Sequence, residues 1–258
     1  MPPSPPQSKQ SPHQQPEDSA LPIPQSSSLL THLLLTLYPL AIVYGIPGML
    51  LPYVLPIVPS ARMFIPCISF ALWALYAMAL YRPARHRTRT ENTLTMLNLR
   101  WGRSFFQFLQ ASHIVLMGCI IITLIINLLS QNLPHIFTNP TASNPFKQLP
   151  QSEQYLLFAQ SIIIAPLLEE TLFRGHMMTI LSSQWNKWAC VFYTAIVFAM
   201  MHPAYWAKPN ALLTTLLLGL WFGHCRYAFR STIPGILAHV SNNALATYFL
   251  LWHTQPLP

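Results

Sequence analysis

The stretch APLLEETLFRGHMM, residues 165–178, sets Glu169, Glu170 and Arg174 inside a sequence otherwise suited to a lipid bilayer. The 258-residue chain has only six acidic residues, and two of them stand side by side between SIIIAPLL and TLF. Ionisable side chains at membrane depth are costly, and they face the bundle interior or a water-filled cavity where they pair with one another. The surroundings are membrane-like throughout. Charged residues make up 8% of the chain and apolar ones 52%, against roughly a quarter charged in soluble domains. That leaves too few charges to cover a water-exposed surface, and the expected fold is an all-α, polytopic membrane helical bundle.

The net charge of +8 comes mostly from arginines in one connection, YRPARHRTRTENTLTMLNLRWGR, residues 81–103. Arginines next to apolar spans read as membrane orientation and contact with lipid headgroups, so membrane lipids are expected partners and nucleic acid is not. Cys67, Cys119, Cys190 and Cys225 are widely spaced in apolar segments without a CxxC or Cys/His pattern, which points to structural, reduced thiols.

Residues 1–28 are rich in Pro, Gln and Ser, cannot bury enough apolar surface to offset ordering entropy, and are expected to form a disordered tail. Residues 29–258 form the membrane-embedded domain. Runs near the ~20 apolar residues that a bilayer requires fall at 29–51, 63–81, 105–129, 153–184, 187–203, 210–226 and 231–252, giving about seven transmembrane helices. The first carries four prolines in YGIPGMLLPYVLPIVP and is the weakest helix on this reading. Lys9, Arg82, Arg85, Arg87, Arg89, Arg100, Arg103, Lys187, Arg226 and Arg230 gather on the tail side, against Arg62, Lys147 and Lys208 on the other. The count places the N-terminus in the cytoplasm and, after an odd number of spans, the C-terminus outside.

Depth follows from length. With a turn at 185–187 and an antiparallel fifth span, Glu169 and His202 both lie about 22–24 Å from that turn at 1.5 Å per residue. The seventh span then lifts HVSNN, with His239 and Asn243, toward the same level. Glu170 and Arg174 are i and i+4, the spacing at which an ion pair closes along a helix, while Glu169 is rotated about 100° away. Phe198 and His202, and His239 and Asn243, repeat the i, i+4 spacing and so present one stripe each. His202 precedes Pro203 and is pushed out of helical geometry, which ends its helix where water can reach. His176, at i+7 from Glu169, is an outside candidate on spacing alone.

EETLFR (Glu169, Glu170, Arg174), FAMMH (Phe198, His202) and HVSNN (His239, Asn243) resemble the ordered motifs EExxxR, FxxxH and HxxxN of the CPBP intramembrane protease family. That family includes the CAAX prenyl proteases and the Abi-type bacteriocin-processing or immunity proteins. The resemblance spans about the C-terminal hundred residues, with the motifs inside 153–252. It implies hydrolysis of a peptide bond in a membrane-embedded or lipid-modified substrate. Glu169 and His202 would activate water, with Glu170 beside them, and His239 and Asn243 would stabilise the oxyanion. Arg174 and Phe198 would be structural supports. A divalent metal such as zinc is left open, with Glu169, His202 and His239 as its ligands if one is bound; the HExxH spacing that fixes such ligands on one helix is missing.

Two rival classes remain on the residues alone. One is a non-enzymatic membrane protein, immunity-like or a scaffold, whose polar network joins helices. The other is a proton-coupled transporter using a buried Glu/His relay. GxSxG, phosphate-loop and GxGxxG patterns are absent from the sequence, which sets aside serine nucleophiles and nucleotide chemistry. The expected location is a bacterial inner (plasma) membrane. A CAAX substrate would be cytoplasmic, whereas the charge count puts the catalytic level nearer the outer face.

Overall fold

A computed structural model describes residues 28–54, 64–80, 94, 97–134, 136–137 and 149–252. Apart from Ser28, the expected tail lies outside the described residues, as do His135 and His253. Among the described residues the elements are helical: α1 (Leu29–Val54), α2 (Ile65–Leu80), α3 (Phe105–Asn132), α4 (Gln151–Leu181), α5 (Lys187–Met200), α6 (Pro209–Phe229) and α7 (Ile233–Trp252). Three of them, α1, α3 and α4, are long and apolar enough to cross a membrane on length and composition, and α2 and α5 are shorter apolar helices. Large apolar side chains such as Met49, Phe106, Leu124, Leu128 and Phe249 are exposed, as on a bundle whose outer surface meets lipid rather than water.

The prolines do not break the helices they interrupt. α1 runs through Pro39, Pro47 and Pro52, and α4 through Pro166. A π-helical turn, Ala41–Gly45, comes just before Pro47, and a second, Gln160–Ile164, just before Pro166. Proline lacks the N–H for an i to i−4 bond and its ring crowds the preceding turn. A wider turn absorbs both defects, so the first span is a 26-residue helix despite its prolines. A third π-helical segment, Glu170–Met177, coincides with the charged stretch.

Asn186 caps α5, its Oδ1 accepting the Ala189 N–H at 3.0 Å, which sets the turn between α4 and α5 where the sequence places it. α5 and α6 approach closely because Gly219 faces Ala195 and Phe198, and Gly223 faces Val191. At Gly118 of α3 a methyl group would overlap the Trp221 indole of α6, whose Nε1–H donates to the Val115 carbonyl at 2.9 Å. Beneath α4, Gly175 lets the Leu97 carbonyl approach, at 2.8 Å from where a Cβ would stand. Thr232 at the start of α7 donates its N–H to the Asn98 carbonyl (2.9 Å) and its hydroxyl to the Leu97 carbonyl (3.1 Å). One end of the bundle is thereby clamped by residues 97–98, and α4 is held between α2, α5 and α7.

Candidate active site

The charged stretch is almost entirely buried. Glu170 and Arg174 are each 1% exposed and their Oε1 and Nη1 atoms stand 3.2 Å apart, the i, i+4 pair expected from spacing. Arg174 also donates Nη2–H to the Gly219 carbonyl at 3.2 Å. Its guanidinium lies over the rings of Phe198 (4.4 Å), Phe222 (5.4 Å) and Phe173 (5.8 Å). An arginine taken out of water needs compensation for its charge, and one carboxylate, one carbonyl and three aromatic faces supply it here, while Nε has no hydrogen-bond partner among the described residues.

Glu170 has a second partner. Its Oε1 lies 3.0 Å from His239 Nδ1. A carboxylate paired with arginine is ionised and only accepts, so Nδ1 carries the hydrogen, and Nε2 is the lone pair in the neutral tautomer. That Nε2 stands 3.8 Å from Glu169 Oε2. His202 repeats the pattern from α5: its Nδ1 is 2.8 Å from the Phe198 carbonyl, which can only accept, so Nδ1–H donates and Nε2 is a lone pair. It points at Glu169 Oε1, 3.8 Å away. His202 has left the helix, with φ −110° and ψ 66°, as its position before Pro203 requires.

The first glutamate thus receives two imidazole lone pairs on its two oxygens, with no donor between them. Such a set holds together around a donor, either a proton or a water molecule. Space for one exists, because Glu169, His202, His239 and Asn243 all line one cavity of about 610 Å³. Its remaining wall is largely apolar and includes Ile120, Leu124, Leu218, Phe222, Leu245 and Phe249.

Asn243 lines the cavity, but its Nδ2 donates to the Ser161 carbonyl of α4 at 2.9 Å. The cause lies in the backbone. The Ala165 N–H bonds the Gln160 carbonyl, and the next donor along the π turn would be Pro166, which has none. The Ser161 carbonyl is left open and the asparagine fills it. One amide hydrogen is engaged there and the second is free to face the cavity.

His176 does not join the site. It is fully buried, 3.1 Å from the Leu35 carbonyl, with its ring edge-on to Trp73 and Tyr76, and it packs α4 against α1 and α2. Cys119, Cys190 and Cys225 are buried and free. Among the described residues no group of three or more His, Cys, Asp or Glu has the geometry of a metal site. Glu169, His202 and His239, with both Nε2 atoms 3.8 Å from the carboxylate, are the residues that would hold a divalent metal if one is bound.

Motif reading missed three neighbours. Tyr205 stacks on His202 (5.5 Å, 14° between planes) and lines the cavity; it follows His202 by three residues in the 3-10 turn Pro203–Tyr205, a spacing visible in the sequence. Burial, and then the Glu169 charge, raise its phenol above the usual tyrosine range, keeping it a donor. Phe222 stacks under His239 at 4.9 Å. The Ser161 carbonyl is the third, and Pro166 was its only signal.

Residues 151–245, from the start of α4 into α7, match the family model described as type II CAAX prenyl endopeptidase Rce1-like. Over this segment the chain is similar to that family. The match is consistent with the CPBP and CAAX protease family that the three motifs resemble, and it covers each of the seven motif residues. No curated protein and no solved structure matches the chain. The match and the apolar helices are those of an integral membrane protein.

Proposed function

We propose that this protein is an intramembrane endopeptidase, acting on a membrane-embedded or lipid-modified peptide, with Glu169 as its base. The observation that carries the reading is the convergence of the Glu169 carboxylate and the two Nε2 lone pairs on a partly apolar cavity. A water about 2.8 Å from both Glu169 and His202 fits across a 3.8 Å gap with an angle of about 85° at its oxygen. Glu169 takes one proton of that water while the oxygen adds to the scissile carbonyl carbon. The oxyanion then faces the free Asn243 N–H. It also faces His239 Nε2, a donor when the ring enters the cycle as an imidazolium beside the Glu170 carboxylate. Glu169 passes the proton it took to the leaving nitrogen as the C–N bond breaks, so the water ends as hydroxyl on the new acid and hydrogen on the new amine.

The test is Glu169→Gln in purified full-length protein, assayed on a quenched, farnesylated peptide with a CAAX end. Loss of a positioned base lowers turnover by at least about a hundredfold, with the thermal transition in detergent unchanged. A packing network would instead lose stability and abundance together, and a transporter would lose pH-dependent flux. Normal cleavage by a folded Glu169→Gln protein would overturn the proposal.

A further inference from the structure

The cavity has a second polar region, away from Glu169. Asn127 of α3 and Asn210 at the start of α6 both line it. The register of these antiparallel helices is fixed where Trp221 packs on Gly118 and bonds Val115. Asn127 lies nine residues beyond Gly118 and Asn210 eleven before Trp221. At 1.5 Å per residue these are advances of about 13 and 16 Å in the same direction, so the two amides sit at nearly one level.

The catalytic groups lie deeper. Phe198, which contacts both His202 (4.8 Å between ring centres) and His239 (6.4 Å), packs against Gly219, nine residues below Asn210. Helical rise and the upward reach of Glu169 and His202 put the amides roughly 10 Å from the carboxylate. An extended peptide advances about 3.3 Å per residue, so this is a span of about three residues.

Both amides have donors to spare. Asn127 has no hydrogen-bond partner among the described residues and stands on an otherwise apolar stretch, ITLIINLL, where a polar side chain facing lipid would be costly. It shares the cavity stripe of Ile120, Thr123 and Leu124. Asn210 uses its Oδ1 to accept the Ala211 N–H at 2.8 Å, which leaves its Nδ2 hydrogens uncommitted.

We propose that Asn127 and Asn210 form a peptide-binding subsite that donates to an acyl oxygen of the substrate about three residues from the scissile bond. The inference rests on the endopeptidase reading and adds where the substrate chain is gripped. Two uncharged amides lining one cavity at nearly one level suit a main-chain carbonyl or a terminal carboxylate, both acyl-oxygen acceptors.

The probe is the quenched, farnesylated peptide ending three residues after the scissile bond, made as free acid and as carboxamide. Its Kd is measured by fluorescence anisotropy on the full chain carrying Glu169→Gln, so that binding is read apart from turnover. Adding Asn127→Ala, or Asn210→Asp, which keeps the Oδ1 acceptor for Ala211, should raise Kd by about fivefold each, the effect of one lost hydrogen bond. A greater loss with the acid assigns the oxygen to the carboxylate, and equal losses assign it to the main chain. In the wild-type background the same changes should raise KM and leave kcat within about twofold. Unchanged Kd in both variants, with unchanged melting, would overturn the subsite. Failure of the wild type to cleave either peptide would instead overturn the endopeptidase reading, while the Kd comparison would still decide the subsite.

Discussion

Adjacent glutamates with opposite surroundings divide the labour at Glu169 and Glu170. Glu170 is sealed between Arg174 and His239 at 3.2 and 3.0 Å, whereas Glu169 is 14% exposed and faces only lone pairs and cavity. Half of this was legible in the sequence, because i, i+4 spacing alone pairs Glu170 with Arg174 and turns Glu169 elsewhere. The contact from Glu170 to His239 was not, since it depends on the rotation of α7 about its own axis, set by Thr232 bonding residues 97 and 98. Arg174→Ala leaves a buried carboxylate without its cation and should cost about 3–5 kcal/mol. Glu170→Gln combined with Arg174→Met should recover much of that stability, measured as thermal unfolding in detergent. Strictly additive losses would mean that the two side chains are uncoupled.

Helices here carry their irregularities where chemistry needs them. The seven helices of the described residues were readable from apolar runs, though three alone have the length and composition of a span, and the ends of α5 were readable from Asn186 and Pro203. The π turns were not readable, because nothing in apolar periodicity separates a turn of i to i−5 from one of i to i−4. Pro47 and Pro166 look like helix breakers in sequence, and the widened turns before them turn each into a continuation. At Pro166 the consequence reaches the site, since the open Ser161 carbonyl is what holds Asn243. Pro166→Ala restores a backbone donor that competes for that carbonyl. The expected outcome is unchanged or higher thermal stability with kcat lowered at least about tenfold as the Asn243 amide loses its orientation. A drop in melting temperature with unaltered kcat would contradict this link.

Across the whole molecule, the cavity and the clamp made by residues 97–98 lie toward opposite ends of the bundle. Residues 97–98 and Thr232 close one end, and the start of α6, with Asn210 and Tyr205 lining the cavity, lies toward the other. The distribution of Lys and Arg in the sequence predicts that residues 81–103 face the cytoplasm. Reporter fusions should therefore read cytoplasm at residue 95 and the opposite side at residue 145, and a cytoplasmic signal at 145 would reverse the orientation and bring the site to the face where CAAX ends are found. Folding and chemistry meet at the two glutamates, where Glu169 handles the proton while Glu170 holds Arg174 and orients His239. The direct measurement is turnover and melting temperature, on the same preparations, for Glu169→Gln and Glu170→Gln. The account predicts that Glu169→Gln melts like the wild type and cleaves nothing measurable, while Glu170→Gln melts several degrees lower because Arg174 is left unpaired. A Glu169→Gln protein that turns over peptide at the wild-type rate would contradict it.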